Sequence, residues 1–348
     1  MPNRSATRRK QVDALTRDYS RRDLLRLGAG VGSGLLLGAC GNLKTDSPAK
    51  STYPDHAVEW VVPFAPGGST DLIARTLAKG LEKPLGQSVV VVNREGAAAV
   101  VGTKEVLGAQ PDGYKIAFPP SSLFTITPLV VKNAQEVKLE EMKIVTGLTV
   151  ENIVIIVHKD SPYKTIQDLL QEKGTGKKLK FAHSGVGTGV YFSQLAFYKE
   201  AGIDAIDVPF GGSGPAVTAL LGKQVDVAAS QVAESNKYVV SGDMRRLAIF
   251  SAERSQLLPN LPTIKEAGFD LVVDQSRFVA GPAKMPDNVV SVLAKAFQEA
   301  TRSTEYGQFL ADNFIERRQF SGEELTKRIK SDLERYKVLA EKFGIQPK

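Results

Sequence analysis

The sequence predicts an α/β fold, with helices packed on mostly parallel sheets. Short apolar runs typical of buried strands alternate with longer segments of helical periodicity. Three of the apolar runs also end in turns rich in glycine, serine or threonine that lead directly into a helical segment. In open α/β sheets, ligands bind beyond the carboxyl ends of the strands, so the sequence places a ligand site at these turns.

The predicted elements follow one another in a regular order. Buried strands are predicted at residues 58–64, 88–93, 115–119, 153–157, 179–183, 205–210, 225–230 and 246–251. The first helix is predicted to start near Leu72, because Leu72, Ile73, Leu77 and Leu81 recur with helical spacing on one face. Further helices are predicted at residues 190–201, 215–222 and 286–301, with a long charged one at 322–343.

The first 39 residues have the features of an export signal. A basic segment precedes a short apolar segment of small residues, and a membrane span would need ~20 apolar residues. The sequence SRRDLLR at residues 20–26 resembles a twin-arginine signal, and LGAC at 37–40 resembles a lipobox. We therefore predict a signal peptide at 1–39, a lipidated Cys40 and a polar tether at 40–55. The alternative is a soluble chain whose cysteine lies there by chance.

Charge and cysteine content exclude several classes of protein. The segment 1–26 holds eight basic and three acidic side chains, so it supplies +5 of the net +7 and leaves about +2 for the remainder. That balance does not indicate nucleic acid as a partner. A single cysteine among 348 residues excludes a disulfide framework, and the scattered His56, His158 and His183 match no metal-binding spacing. No cofactor or metal is expected.

An exported hydrolase is the rival interpretation of the glycine-rich turns. Residues 67–71 and 211–215 each miss the G-x-S-x-G pattern at its last position. His183 precedes Ser184, but adjacent strand residues point to opposite faces, which does not suit proton transfer between them. No Lys-Ser/Thr pair follows the glycines as in a P-loop. On the residues alone, the turns indicate only an anion near a helix start, or an ordinary strand–helix turn.

Five motifs, in chain order, resemble the periplasmic receptors of tripartite tricarboxylate transporters. They are VVPFAPGGSTDLIAR, AQPDGYKIAF, HKDSPYKTIQDLL, PFGGSGPAVTALLGKQVDVAAS and RRLAIFSAERSQLLPNLPTIKEAGFD. The resemblance implies a type II periplasmic-binding-protein fold, which has two α/β lobes with a ligand cleft between them. It implies lobe 1 at residues 56–153, lobe 2 at 154–272, and a return to lobe 1 with C-terminal helices at 273–348.

The resemblance also implies a ligand site, because receptors of this family hold a carboxylate with backbone N–H groups and hydroxyls of glycine-rich loops. Arg277 is expected to bind a second carboxylate, the alternatives being a surface position or a pair with Asp274. Asp71 either contacts ligand or only stabilises its helix start. Two positions depart from the family: Tyr191 replaces a frequent histidine and Gly211 a frequent lysine. The predicted site residues are Phe64, Pro66, Gly67, Gly68, Ser69, Thr70, Asp71, Ser121, Ser184, Gly185, Gly187, Thr188, Gly189, Tyr191, Gly212, Ser213, Gly214 and Arg277.

The expected function is that of a monomeric, lipid-anchored receptor at the periplasmic face or cell surface. It would bind a di- or tricarboxylate and deliver it, chemically unchanged, to the permease subunits of a transporter. A receptor that signals to a membrane sensor protein would have the same sequence features. The sequence therefore leaves transport and sensing open, with the exported hydrolase as a third alternative.

Replacing Cys40 tests the predicted lipid anchor. Mass spectrometry of membrane-extracted protein should find a mature chain that begins with an acylated Cys40. Cys40→Ser should release the protein into the soluble fraction, since stable attachment of a protein takes about two acyl chains. An unmodified Cys40 in the membrane-extracted protein would contradict the prediction.

Overall fold

The computed structural model describes residues 53–132 and 137–347, and these ranges contain ten strands and eleven helices. The strands are β1 (Val58–Val62), β2 (Val89–Asn93), β3 (Lys115–Ala117), β4 (Met142–His158), β5 (Leu179–His183), β6 (Ala205–Pro209), β7 (Val227–Gln231), β8 (Met244–Ile249), β9 (Asp274–Pro282) and β10 (Glu316–Phe320).

Along the described part of the chain, eleven α-helices connect or follow these strands. They are α1 (Ser69–Leu85), α2 (Val100–Leu107), α3 (Ser122–Thr125), α4 (Thr127–Val130), α5 (Ile166–Leu170), α6 (Gly189–Ala201), α7 (Ser213–Leu221), α8 (Val232–Val240), α9 (Asp287–Ala300), α10 (Thr304–Asp312) and α11 (Gly322–Lys342). Among the described residues, no helix combines the length and the apolar character needed to cross a membrane.

The predicted signal peptide, Cys40 and most of the predicted tether lie outside the described residues. The end of the tether segment is described, and it contacts the loop before β3. The Tyr53 hydroxyl donates to the Gly113 carbonyl at 2.7 Å, and the Asp55 N–H donates to the Tyr114 hydroxyl at 2.9 Å. These residues are therefore held against residues 113–114.

The strands form one continuous sheet in the order β2-β1-β3-β9-β4-β7-β5-β6, with β8 and β10 also paired to β4. β1 is parallel to β2 and β3, and β5 is parallel to β6 and β7. The first part of β4 pairs with β9 and β10, and its second part pairs with β7 and β8. We call β1, β2, β3, β9 and β10 the first strand group and β5, β6, β7 and β8 the second. The long strand β4 belongs to both.

Seven of the eight predicted strands are present within two residues at each end, and the eighth, 153–157, is the second part of the longer β4. The prediction of mostly parallel pairing is partly wrong, because β4 is antiparallel to β7, β8, β9 and β10. The predictions missed β9, β10 and the first part of β4, whose sequences mix charged, polar and apolar residues and contain no continuous apolar run. Helix α1 also starts earlier than expected, at Ser69.

The first strand group is packed by helices from both ends of the chain. Trp60 on β1 is fully buried, and its ring centroid lies 5.0 Å from that of Phe118 and 5.0 Å from that of Phe297 on α9. α1 supplies Ile73 and Leu77 to the same core. The C-terminal α9 is therefore part of the core that surrounds the first strand.

Helix α11 contributes to two cores. Near its start, Leu325 and Ile329 pack with Val61 of the first strand group. Near its end, Tyr336 packs with Phe192 of α6, with ring centroids 5.7 Å apart. The helix thus contacts elements on both sides of β4.

Phe297→Ala should strongly destabilise the fold, because it removes a fully buried ring against Trp60. We expect a loss of about 3–5 kcal/mol in the free energy of unfolding, measured by urea denaturation. Val292→Ala on the same helix is the control, since Val292 is 37% exposed and its truncation should cost less than about 0.5 kcal/mol. Equal effects of the two substitutions would contradict the placement of α9.

Candidate functional site

The loop after β1 and the loop before α7 touch directly. The Ala65 N–H donates to the Gly211 carbonyl at 3.2 Å. Glycine permits this approach, because a β-carbon on Gly214 would lie only 2.9 Å from the carbonyl carbon of Gly67. Two of the three glycine-rich turns are therefore in contact, and each of them precedes a helix.

A cavity of about 410 Å³ lies between the loops of the two strand groups. Three of the predicted site residues line it: Phe64 from the first group, and Ser184 and Gly185 from the second. Its volume is in the range of small-molecule sites. The other lining residues are Gly96, Ala97, Ala98, Ala99, Val100, Thr127, Val131, Lys132, Val186, Phe210 and Gly211.

The loop that follows β2 forms one wall of the cavity and was missed by the predictions. Ala97, Ala98 and Ala99 have φ angles of 45°, 52° and 85°, in the left-handed region that non-glycine residues rarely adopt. Three such residues in succession store backbone strain, which often accompanies functional sites. The sequence signal was the run GAAA directly beyond the carboxyl end of β2.

The start of α1, where the sequence predicts a ligand carboxylate, is bonded to carboxylates of the chain itself. The Ser69 N–H donates to Glu234 Oε1 at 2.8 Å. The Gly67 N–H donates to Asp71 Oδ2 at 3.0 Å. A helix start is a favourable place for negative charge, and here two acidic side chains occupy it. A ligand at these N–H groups would have to displace Glu234 or Asp71.

Asp71 is held ionised by its neighbours. Burial alone would raise its pKa, but hydrogen bonds from Arg75, the Gly67 N–H and Asn93 outweigh burial and hold the pKa below its ordinary value. Arg75 lies 2.9 Å from one carboxylate oxygen, and Asn93 Nδ2 donates to it at 2.9 Å. Through these contacts Asp71 holds the loop between β1 and α1 in place.

Behind the loops lies a buried polar cluster of Ser69, Glu151, Glu234 and Arg277, which we call the crossing cluster because β4 passes there from one strand group to the other. Arg277 Nε lies 2.6 Å from Glu151 Oε1, and both side chains are almost fully buried. The Ser69 hydroxyl donates to the other oxygen of Glu151.

Arg277 is therefore already neutralised by Glu151, and it lies outside the lining of the cavity. The pair with Asp274 that the sequence offered as an alternative is not the one observed, since Asp274 pairs with Arg328 at 2.8 Å. For Arg277 to bind a second ligand carboxylate, the ion pair with Glu151 would have to open.

Glu234 is the most strongly perturbed acid of the crossing cluster. Burial raises its pKa to about 7, although the Ser69 N–H, the charge of Arg277 and the Gln231 N–H act to lower it. The charge of Glu151 adds to the rise. Burial thus favours the protonated form of Glu234.

The turn between β5 and α6 is held by hydrogen bonds from the hydroxyl groups of Ser184, Thr188 and Thr127. The Thr188 hydroxyl accepts from the Tyr191 N–H at 3.2 Å and donates to the Gly185 carbonyl at 2.8 Å. The Ser184 hydroxyl donates to that of Thr188 at 3.2 Å, and Thr127 donates to the Gly187 carbonyl at 2.9 Å. These bonds fix the loop that presents Ser184 and Gly185 to the cavity.

The remaining predicted residues lie around the cavity without lining it. Tyr191 is buried, with its ring centroid 4.8 Å from that of His183. The Ser121 hydroxyl accepts from the Ser276 N–H at 3.0 Å. A second recess, of about 370 Å³, is lined in part by Pro66, Gly67 and Gly214. Gly68, Thr70, Gly189, Gly212 and Ser213 pack at helix starts next to these loops.

The predictions also missed polar and apolar members of the cavity wall. Lys132 and Thr127 come from the segment around α4, where the sequence shows no glycine-rich turn. Phe210 follows β6 and was assigned to the strand itself. In residues 53–132 and 137–347, no three His, Cys, Asp or Glu side chains are grouped to hold a metal ion.

Comparison with known proteins identifies the family to which this chain belongs. The chain matches the tripartite tricarboxylate transporter family receptors over residues 73–345. BugT of Bordetella pertussis is 32% identical over 255 residues, which are 72% of this chain and 78% of that protein. The solved periplasmic binding protein BugD superposes with a TM-score of 0.80 at 29% identity, over 85% of this chain and 100% of BugD.

A further solved structure, Rpa4515 of R. palustris with adipate, has a TM-score of 0.80 at 25% identity, over 85% of this chain and 100% of that one. The fold is that of a two-lobed periplasmic binding protein, as the resemblance implied. The chain belongs to the tripartite tricarboxylate transporter receptor family, whose members are solute-binding proteins. Both the family and the fold predicted from the sequence are confirmed.

Glu234→Gln should change how stability depends on pH. The folded-state pKa of about 7 exceeds the ordinary 4.5, so the folded protein keeps a proton that the unfolded chain loses. The free energy of unfolding should therefore fall by about 3 kcal/mol as pH rises from 4.5 to 7. The variant should lack this fall and be the more stable protein at pH 8.

The measurement is urea denaturation between pH 4.5 and 8, compared with Glu323→Gln. Glu323 is an exposed glutamate on α11 that pairs with Lys327. Its substitution should leave the pH dependence of the wild-type chain intact. A Glu234→Gln protein with the same pH dependence as the wild type would show that Glu234 stays ionised throughout.

Proposed function

We propose that this chain is a lipid-anchored extracytoplasmic receptor that binds a small organic acid in the cavity of about 410 Å³ and presents it to membrane permease subunits. It acts as a monomer and needs no cofactor. The observation that supports this most directly is the cavity wall, which combines Phe64 from one strand group with Ser184 and Gly185 from the other. A ligand between these residues would contact both halves of the molecule.

The carboxylate is expected at Ser184 and Gly185. The Ser184 hydroxyl donates to Thr188 and the Gly185 N–H donates to His183 Nδ1 at 3.1 Å, so a ligand carboxylate would replace one of these acceptors. The turn lies directly before the N-terminus of α6, where the helix dipole favours negative charge. The neighbouring structure with adipate supports a carboxylate as the ligand class.

The cellular role follows from the family and the leader sequence. Family membership supports a transporter as the partner. The lipobox-like LGAC supports attachment through Cys40, and the twin-arginine-like segment supports export. Membership in a family of solute-binding proteins favours release of the ligand unchanged over catalysis.

Titration of the chain with a panel of organic acids tests the proposal. At least one acid should bind in a one-to-one complex, raise the unfolding temperature and be recovered unchanged by NMR. Ser184→Asp should weaken that binding by about 100-fold, because like charges placed together cost several kcal/mol. Ser291→Asp, on the exposed side of α9, should leave the affinity unchanged.

Two results would count against the receptor. One is a turnover product in the recovered ligand, which would favour the hydrolase alternative. The other is equal binding by the Ser184→Asp and Ser291→Asp proteins, which would move the carboxylate away from the turn between β5 and α6.

A further inference from the structure

The wall of the cavity is mainly apolar. Phe64, Phe210, Val131 and Val186 face it together with the alanine loop after β2. The Thr127 hydroxyl in the wall already donates within the protein, to the Gly187 carbonyl at 2.9 Å and the Ser122 carbonyl at 3.1 Å. Most of the side chains that a ligand would meet therefore offer no hydrogen bond, and an apolar body would bury well there.

The described residues that line the cavity include one cation. Lys132 is the cation in its lining, and Arg277, the candidate for a second carboxylate, is paired with Glu151 at 2.6 Å and buried outside the lining. Lys132 makes no salt bridge with another residue of the described ranges. One cation at the rim matches one carboxylate.

The acidic side chain of Glu95 lies at the edge of the same cavity, next to Gly211. A β-carbon on Gly211 would lie 1.8 Å from Glu95 Oε2, so the Glu95 carboxylate packs directly against the Gly211 backbone. Gly211 and the neighbouring Gly96 both line the cavity. Glu95 is exposed and makes no salt bridge within the described part of the chain. A second carboxylate on a ligand would meet either this charge or the apolar wall, and both are unfavourable.

We propose that the ligand is a monocarboxylate with an apolar body, with its carboxylate between Ser184 and Lys132 and its body against Phe64, Phe210 and Val186. This inference rests on the proposed function and narrows it. It differs from the di- or tricarboxylate that the family resemblance implies, because Arg277, the candidate for a second carboxylate, is paired with Glu151.

The test compares hexanoate with adipate, which have the same chain length and differ only in a terminal methyl or carboxylate. Calorimetric titration of the full chain at low ionic strength, with phenylacetate and citrate added to the panel, should show hexanoate binding about tenfold or more tightly than adipate. Adipate binding equally or more tightly overturns the inference and leaves the proposed function standing. Binding of no acid in the panel contradicts both.

Two variants test the charge argument separately. Glu95→Gln removes the rim acid from an exposed position and should raise adipate affinity about threefold or more without changing hexanoate affinity. Val186→Arg supplies a second cation and should reverse the preference towards adipate, whereas Val240→Arg, at a valine that is 76% exposed and outside the lining, should not. An adipate affinity that neither Glu95→Gln nor Val186→Arg changes would overturn the inference.

Discussion

The ion pair between Glu151 and Arg277 determines where the main elements of this protein meet. It joins the two antiparallel strands β4 and β9 at the level where β4 changes partners. Ser69 adds the start of α1 to the pair through its hydroxyl, and through its N–H it adds Glu234 at the start of α8. Removing one partner of such a buried pair leaves an uncompensated charge and typically costs about 3–5 kcal/mol. The cluster is therefore a constraint on four elements at once.

This arrangement separates the charges that hold the protein together from the surface that faces a ligand. Glu151 accepts hydrogen bonds from Arg277, Ser69 and Thr149, and Ser69 uses both its hydroxyl and its N–H within the crossing cluster. The cavity lies on the other side of the loops and is lined by aromatic and small aliphatic side chains. Specificity is thus left to residues of the loops, while the frame that carries the loops is fixed by buried charges.

The strands that could be predicted from the sequence are those whose own residues are largely apolar, such as β2 with the sequence VVVVN. Residues 179–183, with the sequence LKFAH, are buried except at Lys180, and the structure has the strand where it was predicted. β10, with the sequence ERRQF, carries mostly exposed charges and joins the sheet only through pairing with a strand more than 150 residues earlier. Nothing in its own sequence indicates that partner, since β structure depends on context more than helix does.

Glycine-rich turns are visible in the sequence, whereas contacts between distant side chains leave no such signal. Ser184 and Gly185 lie in a glycine-rich turn that follows a clear strand, and the structure places both at the cavity. Along the sequence, Glu234 lies 165 residues from Ser69, whose N–H donates to it, and Arg277 lies 126 residues from Glu151. Such pairings follow from the tertiary fold alone, so the sequence left Arg277 open as a ligand contact, a surface residue or a partner of Asp274.

The two contact regions of α11 bear on the order in which the protein can fold. Phe343 and Ile345, just beyond the end of α11, complete the core that contains Phe192 and Phe181, so this core is unfinished until almost the last described residues are present. The core around Trp60 is likewise incomplete until α9 and α10 are present. Domains often fold in sequence as the chain emerges from the ribosome. Here neither of these two cores can be completed early, so the folding of both depends on completion of the chain.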